Sequence, residues 1–116
     1  EIREQIALNE QHIKNLLQQI KEFTSATDIL ILSTCNRTEI YYSSPTDLTD
    51  DFIKLIGIQK GLSNSLTVYK PYFISIDETD KAIEHLFRVA MGLESQVVLV
   101  ICVLAFRQMF QLVQVL

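Results

Sequence analysis

Apolar residues recur at helical spacing near the start of the chain, at Ile6, Ile13, Leu16, Leu17 and Ile20, with Glu10, Gln11, Lys14, Gln18 and Gln19 on the other side. This 3.6-residue period predicts an amphipathic helix, capped by Asn9 and ending near Lys21 or Phe23. Polar residues 24–27 then break the pattern. Asp28-Ile29-Leu30-Ile31-Leu32 follows as a continuous apolar run of strand length, the signature of a strand covered on both faces and central in its sheet. Arg37-Thr38-Glu39-Ile40-Tyr41-Tyr42 is rich in strand formers, so a second strand follows at once, with a turn or bulge at Cys35-Asn36.

Ser44-Pro45-Thr46-Asp47 reads as a turn into a helix whose apolar side is Phe52, Ile53, Leu55 and Ile56, stopped by Gly57 or Gly61. Leu66-Thr67-Val68-Tyr69 and Tyr72-Phe73-Ile74-Ser75-Ile76 are strand-like, divided by Pro71, which argues for an edge or a bend. Asp77-Glu78-Thr79-Asp80 starts a further helix with an apolar face of Ala82, Ile83, Leu86, Phe87 and Ala90. The order helix, strand, strand, helix, strand, helix predicts an α+β fold with helices packed on one face of an antiparallel sheet. No internal repeat or low-complexity linker interrupts it.

Composition narrows the functional classes. The 116 residues are 48% hydrophobic and 21% charged, which suits one domain able to bury a core. A net charge of −4 and a pI near 5.0 give no global cationic field for a phosphate backbone, so any nucleic acid must be met locally or by another domain. The two cysteines, Cys35 and Cys102, have neither disulfide-framework nor metal-site spacing, which favours a reducing cytosol. Glu1 opens the chain without a targeting segment, and a start inside a polar stretch suggests truncation.

A lone cysteine is most often a small buried hydrophobe. Around Cys35, however, Thr34 and Asn36 offer hydrogen bonds, Arg37 offers a fixed positive charge that favours a thiolate, and a strand end is where side chains reach a cleft. That is a setting for a nucleophile. His85, with Glu84 and Arg88 beside it, is of a type that more often packs a helix than catalyses. Its significance depends on proximity to Cys35.

Three stretches, Glu1 to Leu8 (EIREQIAL), Leu32 to Tyr42 (LSTCNRTEIYY) and His85 to Val98 (HLFRVAMGLESQVV), resemble successive motifs of the N-terminal catalytic domain of glutamyl-tRNA reductases. The resemblance implies a ferredoxin-like antiparallel sheet backed by helices over residues 1–98, with the family's first strand preceding the start of this chain. It also implies a chemistry. The motif cysteine attacks the ester of glutamyl-tRNA, and the glutamyl thioester is reduced with NADPH to glutamate 1-semialdehyde for tetrapyrrole (porphyrin) synthesis. Carried over by position, Cys35 is the nucleophile; Thr34, Asn36, Arg37 and Ser95 line the glutamate pocket with it; His85 is the catalytic histidine. Arg37 suits a substrate carboxylate because its planar fork binds two oxygens at once. The full-length family member is expected to be a cytoplasmic homodimer.

The likeness fails after Val98. A Gly-Glu-Pro-Gln-like segment is expected there, but Leu99, Val100, Ile101 and Cys102 occupy the positions, making residues 99–116 an atypical apolar tail. Residues 97–106 are an unbroken apolar run, short of the ~20 residues a membrane helix needs, so the tail is expected to pack in a core, pair with a partner, or be the aberrant end of a truncated product. Cys102 reads as a packing residue. No Gly-rich GxGxxG loop occurs in the sequence, so NADPH is expected to be held by a domain absent from this chain. The alternative is a non-catalytic α+β binding or assembly module with the tail as its interface. If Cys35 is the nucleophile, brief alkylation of the native chain followed by peptide mapping will label Cys35 well ahead of Cys102. Equal labelling, or preference for Cys102, contradicts the assignment.

Overall fold

A computed structural model describes residues 2–34, 37–62, 66–90, 97–103 and 111–115. The predicted first helix is two: α1 (Ile2–Ile6) and α2 (Glu10–Phe23), separated at Asn9. Asn9 caps α2 reciprocally. Its side-chain oxygen accepts from the His12 N–H at 2.8 Å, and His12 Nδ1 accepts from the Asn9 N–H at 3.2 Å, satisfying donors that a helix start leaves open. Ile13, Leu16 and Ile20 form the buried stripe of α2, as the periodicity predicts.

The apolar run becomes β1 (Asp28–Thr34) and the alternating one β2 (Thr38–Ser43), paired antiparallel from Asp28 opposite Ser43 to Ser33 opposite Thr38. The remaining elements are α3 (Thr49–Lys60), α4 (Leu66–Tyr69), a 3-10 turn (Lys70–Tyr72), β3 (Phe73–Ile76), α5 (Thr79–Ala90), β4 (Val97–Val103) and β5 (Gln111–Val115). All strand pairs are antiparallel, in the order β3-β5-β2-β1-β4. The chain is therefore α+β, with β1 inside the sheet, flanked by a strand on each side as expected, and β2 at its centre and buried along its length.

Helices cover both faces of the sheet, not one. Successive strand residues point to opposite sides. Ile29, Ile31, Ile40 and Tyr42 pack against α1, α2 and α3 through Ile6, Ile13, Leu16, Ile20, Phe52 and Ile56. Leu32 and Tyr41 face the other way, onto Ala82 and Val89 of α5. A run that is apolar at every position needs such two-sided cover, so a one-sided arrangement would have left half of β1 in water.

Two further expectations are corrected. Residues 66–69 form a helical turn rather than a strand. Tyr69 is buried and its hydroxyl donates to Gln5 Oε1, while Thr67 and Val68 are exposed. Pro71, with its fixed φ, fits the tight turn that follows. On α5 Ala82 and Val89 are buried and His85 and Leu86 partly buried, whereas Ile83 and Phe87 are exposed at 37% and 63%. The helix is turned so that a polar residue, His85, faces the sheet. The apolar tail supplies β4 beside β1 and β5 between β2 and β3, so its described residues belong to the chain's own sheet. No helix among the described residues is long and apolar enough to cross a membrane.

Gly57 lies buried within α3, and Gly61 is the residue that ends it, in the left-handed conformation at φ 70° with its N–H on the Ile58 carbonyl at 3.3 Å. A Cβ at Gly61 would meet nothing within 4 Å. Substitution therefore tests backbone conformation alone. Gly61→Ala is expected to cost about 1 kcal/mol in urea denaturation, because a side chain disfavours the left-handed region. Gly61→Asn should cost less. An unchanged Gly61→Ala midpoint would mean that this cap does not stabilise the fold.

Candidate active site

The site is built on the face of β2 that looks toward α5. Arg37, just before β2, and Glu39 and Tyr41 within it are two residues apart and share that face. His85 approaches from the middle of α5. Gln114 comes from β5, where it stands opposite Glu39 in the β2–β5 register. Residues far apart in sequence are thus brought together by one strand pairing and one helix packing.

Glu39 is the centre of the arrangement and is fully buried. Its Oε2 lies 2.9 Å from Arg37 Nε, 2.7 Å from Gln114 Nε2 and 2.6 Å from His85 Nε2. Its Oε1 accepts from the Tyr41 hydroxyl at 2.9 Å. His85 Nε2 is also 2.7 Å from Gln114 Nε2 and 3.3 Å from the Arg37 terminal nitrogen. A buried carboxylate is tolerable only when paired and hydrogen-bonded, and here both oxygens are engaged. Removing one partner from such a pair costs about 3 to 5 kcal/mol, because a charge is left buried and uncompensated.

Two neighbouring tyrosines of β2, one on each face, are held neutral. Burial, followed by the Glu39 charge, drives the Tyr41 hydroxyl far above the ordinary phenol range. Tyr42 points to the opposite face, where burial pushes it up to about 12. Its hydroxyl donates to Asp47 Oδ1 at 3.2 Å and accepts from the Leu48 N–H at 3.0 Å, while its ring meets Phe52 edge-on at a centroid distance of 4.7 Å. The Thr49 hydroxyl, donating to Asp47, holds that carboxyl below its usual range.

Of the residues singled out in the sequence, Arg37 and His85 are brought together. Thr34 ends β1. Cys35, Asn36 and Ser95 lie outside the described residues. Sequence reasoning did not single out Glu39, Tyr41 or Gln114. A signal for Glu39 existed: a carboxylate two residues from Arg37 on a strand otherwise built of apolar and aromatic side chains. Gln114 carried none, since its place depends on strand register.

The sequence model described as "Glutamyl-tRNAGlu reductase, N-terminal domain" matches residues 1–99. The chain belongs to the glutamyl-tRNA reductase family. A glutamyl-tRNA reductase of Cytophaga hutchinsonii is 52% identical over 98 residues, covering 84% of this chain and 23% of the relative. Those of Shouchella clausii and Bacillus subtilis are each 38% identical, over 98 and 101 residues, covering 84% of this chain and 21% of each relative. The chain thus spans less than a quarter of the length of these glutamyl-tRNA reductases. No solved structure matches it. The family match places Arg37, Glu39 and His85 within the shared region and leaves Gln114 beyond it.

The raised tyrosines set a pH dependence. Groups whose folded values lie above their unfolded value of about 10 contribute stability that is complete below that pH and lost as pH rises through the folded values. Unfolding is therefore expected to become easier above about pH 10, with the tyrosinate signals of Tyr41 and Tyr42 appearing together with loss of secondary structure. Absorbance and circular dichroism titrations of the parent, Tyr41→Phe and Tyr42→Phe will check this. Ionisation of either residue near 10 in a fully folded chain contradicts it.

Proposed function

We propose that this chain provides the substrate-activating half of a glutamyl-tRNA reductase. The Cys35 thiolate attacks the ester carbonyl carbon of glutamyl-tRNA. A C–S bond forms, the C–O bond to the tRNA ribose breaks, and the released ribose oxygen takes up a proton. The glutamyl group is then held as a thioester, a better hydride acceptor than an ester or a free carboxylate. NADPH, when bound, supplies hydride to the acyl carbon. The C–S bond breaks as the aldehyde forms, Cys35 is regenerated as thiolate, and glutamate 1-semialdehyde leaves toward tetrapyrrole synthesis.

In this reading Arg37, with Thr34, Asn36 and Ser95, binds the glutamyl group, its guanidinium meeting carboxylate oxygens. His85 orients the ester or moves a proton. The observation that carries the reading is the meeting of Arg37 and His85, which are separated by more than forty residues yet lie 3.3 Å apart around one buried carboxylate, within the region matched to the family. The whole enzyme is read as a cytoplasmic homodimer. The ferredoxin-like sheet is part of the same proposal, supported by the antiparallel β1–β2 pair with helices packed on it. The glycine-rich loop that would grip NADPH is not found in this sequence, so the hydride step falls to another part of the enzyme.

Intact-mass analysis after acid quench tests the first step. Incubated with glutamyl-tRNA, the chain is expected to acquire a glutamyl adduct slowly, and Cys35→Ser to acquire none. Addition of NADPH should yield no semialdehyde from this polypeptide alone. An adduct that persists in Cys35→Ser would remove the nucleophile assignment, and vigorous reduction by the chain alone would overturn the division of labour.

A further inference from the structure

The donors and acceptors around Glu39 can be counted, and the count constrains the His85 ring. Oε2 has three nitrogen neighbours and Oε1 a hydroxyl donor. An acceptor-only carboxylate satisfies all four, whereas a proton on Oε2 would sit against the N–H groups of Arg37 and Gln114. The Gln114 amide end lies 2.7 Å from both Oε2 and His85 Nε2: with its nitrogen there it donates to Oε2, and with its oxygen there it accepts from the ring. In either orientation of the amide, the acceptor-only Oε2 at 2.6 Å calls for the His85 proton on Nε2. Nδ1 is then the lone-pair nitrogen of the neutral ring, and it has no hydrogen-bond partner among the described residues.

We propose that Glu39 is the positioning residue for His85, fixing the neutral ring as the Nε2–H tautomer and leaving Nδ1 as the nitrogen that meets the substrate. The physical logic is that of any carboxylate–histidine pair: the acid holds the ring in one orientation and one tautomer, and the opposite nitrogen does the chemistry. Here Nδ1 is the acceptor, able to take a proton or receive a hydrogen bond. A carboxylate with no exposure suits this role, because water cannot compete for its oxygens. Gln114 and Tyr41 act one step further out, holding the carboxylate so that Oε2 stays aimed at the ring.

The inference rests on the proposed function only for what Nδ1 acts on. The tautomer is read by spectroscopy and the nucleophile by adduct mass, so either can fail without the other. The test is long-range ¹⁵N–¹H correlation of the imidazole nitrogens in the native chain, followed across pH to the neutral ring. The sequence has two histidines, His12 and His85, and His12→Gln, which preserves a capping residue at the start of α2, assigns them. The expected result is His85 protonated at Nε2 alone. Protonation at Nδ1, or a mixture of tautomers, overturns the proposal. Glu39→Leu should release the ring into a mixture; if that variant does not fold, Glu39→Asp, which draws the carboxylate back by one methylene, should do so in part. Gln114→Leu should leave Nε2–H in place. A folded Glu39 variant with the single Nε2–H tautomer intact would show that something other than Glu39 sets it.

Discussion

The described site depends on a charge being kept where water is not. Glu39 has no exposed surface, and a carboxylate in that position is stable only while its partners remain within hydrogen-bonding distance. Arg37 supplies the opposite charge; Tyr41, His85 and Gln114 supply further hydrogen bonds. Each partner arrives on a different part of the fold: the lead-in to β2, β2 itself, α5 and β5. The carboxylate consequently links the site to the packing of α5 and to the pairing of β2 with β5.

The sheet separates two kinds of interior. On one side Ile29, Ile31, Ile40 and Tyr42 meet three helices in an apolar layer, where burial of hydrocarbon supplies the driving force. On the other a smaller cluster of Leu32, Tyr41, Ala82 and Val89 shares its layer with the polar network. The thicker apolar layer can hold the sheet in shape while the second side carries buried polar groups that add little net stability of their own.

Much of this organisation was legible in the sequence. The helix capped by Asn9, the run that became β1, the strand that became β2 and the helix stopped at Gly61 follow from local patterns whose causes are local. The misses have non-local causes. Leu66-Thr67-Val68-Tyr69 has strand-like composition, but burying Tyr69 against the first core layer calls for a helical turn. Ile83 and Phe87 sit at good helical spacing for a buried face, yet His85 turns α5 away from them. The apolar stretch after Val98 gave no indication of which strand it would join. In the site, Arg37 and His85 were legible from motif and resemblance. Glu39 was visible but passed over, and Gln114 required a register that one-dimensional spacing does not contain.

The alternation along β2 divides its side chains between these two interiors. Glu39 and Tyr41 serve the site, and Ile40 and Tyr42 serve the apolar core, with every residue of the strand buried. Shifting the strand by a single residue would drive the carboxylate into hydrocarbon and turn an isoleucine toward His85. Such a segment can diversify by exchanging side chains but not by gaining or losing one, so length variation in this lineage should collect in the connections and spare the strand.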